Sequence, residues 1–311
     1  MNTYLIFIFK RFLQSIPTLW LVITISFFMI RLAPGGPFDM ERQLPPVVEA
    51  NLKAYYNLDK NLFIQYFDYL SGILQGDFGP SYNYRDFSVA DLILDGLPYS
   101  AIVGFWSLLL AIFGGILLGS ISALYRNSYV DYTLMTFSML GLAIPNFVLA
   151  PVLILWLCVW NDWFPAGGWG DGGFANLALP VITLGTAYMG NIARTTRGAM
   201  IEALGANHIR TARAKGLPEK LVVWRHAMKS AMIPVVSYLG PVSAGIITGS
   251  LVIEQIFGLP GVGRYFVQGA LGRDYTLVMG TVILYGGLII IANLIVDIIY
   301  GFLNPRIREE K

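Results

Sequence analysis

The residues with chemical reach in this chain crowd into one stretch. Between 194 and 229 stand Arg194, Arg197, Arg210, Arg213, Lys215, Lys220, Arg225 and Lys229, opposed only by Glu202 and Glu219. At its centre is HIRTARAKGLPEK, where Gly216, Leu217 and Pro218 interrupt a helix-forming run. This set contains no nucleophile–base pair. What it can do is present positive charge on a short, defined element, either to a protein partner or to anionic lipid. His208 and His226 lie in the same stretch, 18 residues apart, with no Cys or carboxylate at ligand spacing, so no metal site is expected. HExxH, GxSxG and Cys/His arrangements are absent. So is the phosphate-cradling GxxxxGK[ST] loop, which puts any ATP hydrolysis on another chain. Elsewhere the candidates are sparse. Gly141, Pro145 and Asn146 in GLAIPNFVLAP can bend a helix around a pathway or simply kink it for packing. Asn293 and Asp297 share one helix face in the last apolar run, where an acid forms either an ion pair or part of a pathway.

The elements that must hold these residues are membrane helices. Of 311 residues, 56% are hydrophobic and 13% charged, against roughly 25% charged in soluble domains. Runs without charge cover 12–30, 96–125, 132–161, 172–193, 230–253 and 275–296. A helix needs about 20 apolar residues to cross the hydrocarbon core, and barrel strands need only about 9–11. The runs therefore predict an all-α polytopic membrane protein with six transmembrane helices. Lys10 and Arg11 before the first run resemble a signal sequence, but the run is too long and ends in RLAPGGP without a small-x-small site, so a retained helix is expected. Cys158 has no intrachain partner and reads as a small buried or lipid-facing residue.

Charge orients the helices. With the N-terminus inside, the inner side carries Lys10, Arg11, Arg126, the eight bases of 194–229, Arg306, Arg308 and Lys311. The outer side carries Arg42, Lys53, Lys60, Arg85, Arg264 and Arg273. The positive-inside rule places both termini in the cytoplasm. Residues 32–95 then lie outside, with nine acids and four bases. Within them NLKAYYNLDKNLFIQYFDYLSGIL predicts one or two surface helices. This segment is read either as a cover over the external mouth or as a docking surface for an extracytoplasmic protein, with Ser81 as an externally reachable position. Prolines 17, 145, 180, 234 and 241 fall inside runs, where neighbouring helices can satisfy the freed carbonyls. Gly115 and Gly119 form a small-xxx-small packing face. In the basic stretch Asn207 is expected as a helix N-cap and Gly216 as a left-handed C-cap, with Pro218 blocking continuation. A second helix, EKLVVWRHAMKSAM, leads into the fifth span.

RTARAKGLPEKLVVWRHAMKSAMIPV resembles the cytoplasmic coupling loop of ABC-type permeases in the oligopeptide/dipeptide/nickel branch. The resemblance runs along essentially the whole chain, through IPTLWLVITISFFMIRLAPGGPF, LPPVVEANLKAYYNL, GDFGPSYNYRDFSV, SYLGPVSAGIITGSLVIEQIFGLPGVG, GRDYTLVMG and NLIVDIIYGFLNPRIR. The N-terminal and external stretches are similar to B-type subunits of oligopeptide importers, and the external segment and GLPGVG look more like oligopeptide permeases than dipeptide or nickel ones. The general importer loop begins Glu-Ala-Ala with a Gly four residues later; here the stretch reads RTARAKG, without the glutamate, as in the peptide branch. The resemblance implies a type I importer permease fold in the bacterial inner membrane. It also implies pairing with a homologous second permease as a heterodimer, two cytoplasmic ATPase subunits that use ATP and Mg, and an extracytoplasmic peptide-binding protein. No cofactor is expected on this chain, and no nucleic-acid partner. Asn207, His208, Ile209, Arg210, Thr211, Ala212, Arg213, Ala214, Lys215, Gly216 and Leu217 would sit in a cleft on an ATPase and transmit its closure.

The resulting layout is 1–31 for the N-terminal segment and first helix, 32–95 for the external segment, 96–305 for the permease core and 306–311 for a cytoplasmic tail. Core spans are expected near 96–125, 132–161, 172–193, 230–253 and 275–300, with the coupling loop at 194–229. Three other readings compete. An ion-coupled secondary transporter would favour several intramembrane acids and repeat symmetry, but only Asp297 stands out. A membrane-embedded enzyme would need a polar cluster in the spans. A dipeptide or nickel permease of the same family is separated poorly by sequence.

Overall fold

The computed structural model describes residues 3–38, 45–84 and 86–303. The predicted tail 306–311 and the charges Asp39, Glu41, Arg42 and Arg85 lie outside them. Among the described residues the chain is all α, with one isolated bridge between Pro80 and Ser88. In order come α1 (Thr3–Leu32), α2 (Pro46–Tyr55), α3 (Leu62–Leu74), α4 (Val89–Leu124) and α5 (Tyr129–Ala143). Next is α6 (Asn146–Leu153), which continues into a π turn, Ile154–Val159. Then follow α7 (Phe174–Gly205), α8 (Asn207–Ala214) and α9 (Glu219–Leu221). A second π turn, Val222–Ala227, joins α9 to α10 (Met228–Ile256), and α11 (Val262–Leu271) and α12 (Tyr275–Leu303) complete the chain.

Among the described residues, four helical stretches are long and apolar enough to cross a membrane: Ile8–Leu32, Val89–Leu124, Glu219–Ile256 and Tyr275–Phe302. The run 132–161, expected as one span, falls on two helical pieces bent by 103° between Ala143 and Asn146, a broken span or a re-entrant turn. Pro145 sits at the break with an extended backbone, φ −57° and ψ 140°. It lacks an N–H, and it drives Ile144 before it out of the helical region to ψ 117°. The run 172–193 is part of the longer α7 but is not among the stretches apolar enough by composition. Its burial explains this. Ala178, Leu179, Thr183, Leu184, Gly185, Met189, Gly190, Ile192 and Ala193 are all buried in protein. A helix lined by protein rather than lipid needs small, well-packing residues more than hydropathy.

The chain divides into two compact units. One centres on Ala101–Leu259 and takes in α1 up to Ser15 and α12 from Leu288. Here α7 packs against α10 and α5. The core holds Val103, Leu179, Leu184, Ile192, Val242, Ile246 and Ile253. Glycines bring the backbones close. A Cβ on Gly119 would collide with the carbonyl oxygen of Ala193, and one on Gly141 would stand 2.7 Å from that of Thr186. The Gly115–Gly119 face is thus a packing face, as its pattern predicts. Cys158 is buried, and its thiol donates to the Pro165 carbonyl at 3.5 Å.

The other unit comprises Ile16–Ser100 and Pro260–Gly287. The surface-helix expectation resolves into two helices, α2 and α3. Asn61 caps α3 by accepting the Phe63 N–H at 2.9 Å. The organising group is Asp274, which is fully buried. One of its oxygens caps α12 through Leu277 N–H and Thr276 Oγ1, both at 3.0 Å. The other accepts Ser81 Oγ at 2.5 Å and the N–H groups of Tyr82 and Asn83 at 2.8 and 3.0 Å. Two stretches that carried only resemblance in the sequence, GPSYNYRD and GRDYTL, therefore meet on one carboxylate. Ser81 is correspondingly buried, 3% exposed, and is not the reachable position expected of it.

Replacing Asp274 with Ala orphans these donors, of which the three backbone N–H groups alone, at 1–3 kcal/mol for each unsatisfied group, should cost at least about 3 kcal/mol. The expected result is a lower unfolding temperature in detergent and new protease cleavage between 80 and 84. An unchanged melting point would contradict the capping role.

Candidate coupling site

The basic stretch folds as the end of α7, then α8, then α9 with the π turn that leads into α10. One residue, Ala206, separates α7 from α8. Its backbone is extended, φ −70° and ψ 152°, and its carbonyl accepts the N–H groups of Ile209 and Arg210. Ala206 is therefore the N-cap, and Asn207 is the first helical residue rather than the cap. The Asn207 side chain makes no capping bond, while its carbonyl accepts Thr211 Oγ1 at 3.1 Å. Asn, a favoured N-cap type, is displaced by one position because Ala206 already turns the chain.

The other end of α8 follows the sequence closely. Lys215 is the C-cap and Gly216 adopts φ +75°. Leu217 N–H bonds the Ala212 carbonyl at 3.3 Å, and Gly216 N–H bonds that of Arg213 at 2.9 Å. Those two bonds define a Schellman motif, closed by apolar contact between the regions of Leu217 and Ala212. Nothing lies within 4 Å of a Cβ at Gly216, so the demand for glycine there is conformational, not spatial.

Eight residues of helix are marginal alone, so α8 must be held by packing. Ile209 and Ala212, three apart, are buried together with Met200 and Ala203 of α7, Ala123 of α4, and Val222, Val223 and Ala227 of the π turn. Burying an isoleucine contributes roughly 1.5–3 kcal/mol. Arg213 also grips Glu219 with two bonds of 2.5 and 3.1 Å. That pair is exposed and screened by solvent, so the apolar anchor dominates. The opposite face of α8 leaves Asn207, His208, Arg210, Thr211, Arg213, Ala214 and Lys215 exposed. The result is a cationic helix standing on an apolar foot.

The mount beneath α8 contains an ion pair that the sequence did not reveal. Asp131, 1% exposed, accepts Arg197 Nε and Nη2, each at 2.7 Å. It also accepts Ser122 Oγ and, at 2.8 Å, the N–H of Asn127. Asn127 has φ +62°, a conformation asparagine tolerates, which turns its N–H towards the carboxylate. The end of α4, the α4–α5 turn, α5 and α7 are thus pinned at one point. In the sequence Arg197 counts as one of the eight bases of 194–229, and Asp131 carries no assignment. The one local signal was Ser128 three residues before Asp131, a capping pattern in which Ser128 Oγ accepts the Asp131 N–H at 3.4 Å.

The pathway candidates scatter. Gly141 packs on α7 and Pro145 makes the α5–α6 break. Asn146 opens α6 with its Oδ1 buried and without a hydrogen-bond partner. Asn293 donates to the Ile289 carbonyl at 2.9 Å and stands against Gly240 of α10. Asp297 pairs with Arg11 of α1 at 3.3 Å, the structural alternative of the two expected for it. Another acid within a span, Glu254, lies one residue past an uncharged run and is 1% exposed in α10.

Residues 115–309, which include α8 and most of its mount, match the family described as binding-protein-dependent transport system inner membrane component. The chain belongs to this family. As a member it is an inner-membrane permease component, and ATP hydrolysis is the work of a separate chain. It is 52% identical to the oligopeptide transport system permease protein OppB of Salmonella typhimurium (strain LT2) over 302 residues, 97% of this chain and 99% of the relative. The protein of the same name from Escherichia coli (strain K12) shows the same identity and coverage. The dipeptide transport system permease protein DppB of Bacillus subtilis (strain 168) is 41% identical over 305 residues, 98% of each chain. The crystal structure of an amino acid ABC transporter with histidines matches 68% of this permease chain and 93% of its own, with TM-score 0.54 and 14% identity, and shares its fold.

Removing one partner from a buried ion pair costs about 3–5 kcal/mol, whereas an apolar replacement of both is often near neutral. Arg197→Leu should therefore destabilise the purified permease by that amount, and adding Asp131→Leu should recover most of it. A single-variant cost below 1 kcal/mol in denaturant unfolding would contradict the pinning role.

Proposed function

We propose that this permease is one half of the membrane domain of an ATP-driven importer, and that it moves oligopeptides. The observation that carries the substrate is the 52% identity, over nearly the full length, to proteins named as oligopeptide permeases. A dipeptide substrate is the second reading, favoured by the 41% identity to a dipeptide permease. The partners would be a homologous second permease, two ATPase subunits that use ATP and Mg, and an extracytoplasmic binding protein that selects the peptide. Six spans, with both termini in the cytoplasm, are the reading that charge supports. They would be α1, α4, the bent α5–α6 pair, α7, the α9–α10 helix and α12, with α7 as the protein-lined central span.

In this scheme residues 207–217 dock into an ATPase cleft. The cationic face of α8 meets the partner, and its apolar foot passes the displacement to α7 and, through the π turn, to α10. π turns occur often at functional sites. The transport cycle is then a two-state switch biased by ATPase closure. The role of α8 as an ATPase contact rests on its shape, charge and place in the chain.

Two measurements test this reading. ATP-dependent uptake of a labelled tetrapeptide into proteoliposomes holding the whole assembly should require this chain, and uptake of dipeptides alone would move the substrate to the second reading. Gly216→Val forces a β-branched residue into a left-handed conformation that costs an L-residue about 1–2 kcal/mol. It should leave membrane insertion and ATP hydrolysis in place while lowering uptake at least tenfold. Gly216→Asn, which tolerates that conformation, should keep uptake near wild type. Full uptake with Gly216→Val would refute the coupling assignment.

A further inference from the structure

In the unit containing α2 and α3, Arg31 has no carboxylate partner among the described residues. It lies near the end of α1 and donates to Gln65 Oε1 of α3. Its guanidinium carbon stands 5.0 Å from the ring centre of Phe27 and 5.5 Å from that of Tyr275. The Gln65 amide is locked in this orientation, because its Nε2 donates to the carbonyls of Lys60 and Leu58 at 2.7 and 3.2 Å. One acceptor serves a group with five N–H donors.

Arg31 lines a cavity of about 450 Å³ together with Gln65, Tyr69, Tyr82 and the carboxylates Asp68 and Asp77. That is within the usual range for a small-molecule site, about 300–1,000 Å³. The Tyr69 hydroxyl is buried and has no hydrogen-bond partner. Burial pushes the Tyr82 phenol up to about 12, so it stays protonated and able to donate. The two carboxylates are already engaged: Asp68 with Lys60 Nζ at 3.1 Å, and Asp77 with the Gly79 N–H at 2.8 Å. Each keeps lone pairs for a further donor. The cavity therefore offers a guanidinium with no carboxylate partner among the described residues and two neutral phenols for an anionic end, and carboxylates for N–H groups. A simple anion would use the first set only.

We propose that this cavity is a binding site for a short peptide with a free C-terminus, its terminal carboxylate on Arg31 and Tyr69 and its N–H groups towards Asp68 and Asp77. The peptide identity of the ligand rests on the oligopeptide reading above; the carboxylate chemistry follows from the cavity itself. Arg31 suits the task better than lysine would, since its planar fork matches a carboxylate with two parallel bonds.

The test is calorimetric titration of the full chain in lipid nanodiscs with tri-alanine, tri-alanine amide and acetate. Tri-alanine should bind, and its amide, which lacks the anion, should bind about ten- to hundredfold more weakly, as expected for losing a charge-assisted bond. Arg31→Gln should weaken tri-alanine by a similar factor. Tyr69→Phe removes only an unpaired hydroxyl, so it should weaken binding severalfold with no loss of thermal stability, which guards against misfolding of the arginine variant. No binding of tri-alanine, equal binding of acid and amide, or unchanged affinity in both variants would overturn the site. Acetate binding as tightly as tri-alanine would overturn the peptide assignment. Binding without peptide uptake by the assembly would remove the oligopeptide reading and leave the site. Uptake without this binding would do the reverse.

Discussion

The permease core turns on one buried carboxylate. Asp131 is almost fully shielded from solvent, where an unpaired charge could not persist. Its four bonds come from Arg197, Ser122 and Asn127, so satisfying it fixes the end of α4, the α4–α5 turn and α7 against one another. The neighbours of these residues in sequence build the apolar foot of α8: Ala123 follows Ser122, and Met200 and Ala203 follow Arg197 within two turns. The ion pair and the foot are thus one device. The charge pair sets where the helices stand, and the apolar cluster sets where the basic helix stands on them.

Close backbone approach is the second constraint, and it explains why α7 is the least apolar of the proposed spans. Contacts at Gly119, Gly141 and Gly190 let α4 and α5 lie against α7 with no room for side chains between them. Such a helix is held by dispersion and shape rather than by partition into lipid. A rigid central helix that ends one residue before α8 is suited to carrying a push from that helix. A helix isolated in lipid would tilt instead.

Local chemistry was legible in the sequence, and long-range pairing was not. The stop at Gly216–Leu217–Pro218 depends on neighbouring residues alone, and the Schellman motif appears where the glycine predicted a left-handed cap. Pro145 announced a bend for the same reason, though a 103° break depends on what α5 and α6 pack against. The N-cap was placed one residue late, because side-chain preference for Asn207 could not register that the Ala206 carbonyl already takes the first helical bonds. Asp131 with Arg197, 66 residues away, and Asp274 with Ser81, 193 away, show the limit plainly. A lone charge in a sequence carries its sign but not its partner. Ser81 read as an exposed loop residue for that reason, and is buried.

These features give α8 an exposed cationic face on a fixed apolar foot. In the proposed scheme that face touches an ATPase and not only lipid headgroups. The most direct measurement places a photo-reactive amino acid at His208 or Thr211, both exposed, in the full assembly in native membranes, with irradiation in the presence and absence of ATP. A specific cross-link to an ATPase subunit is expected from either position, with a yield that changes on ATP binding. Cross-links to lipid alone, or to no protein at all, would contradict that scheme and leave the basic helix as a membrane anchor.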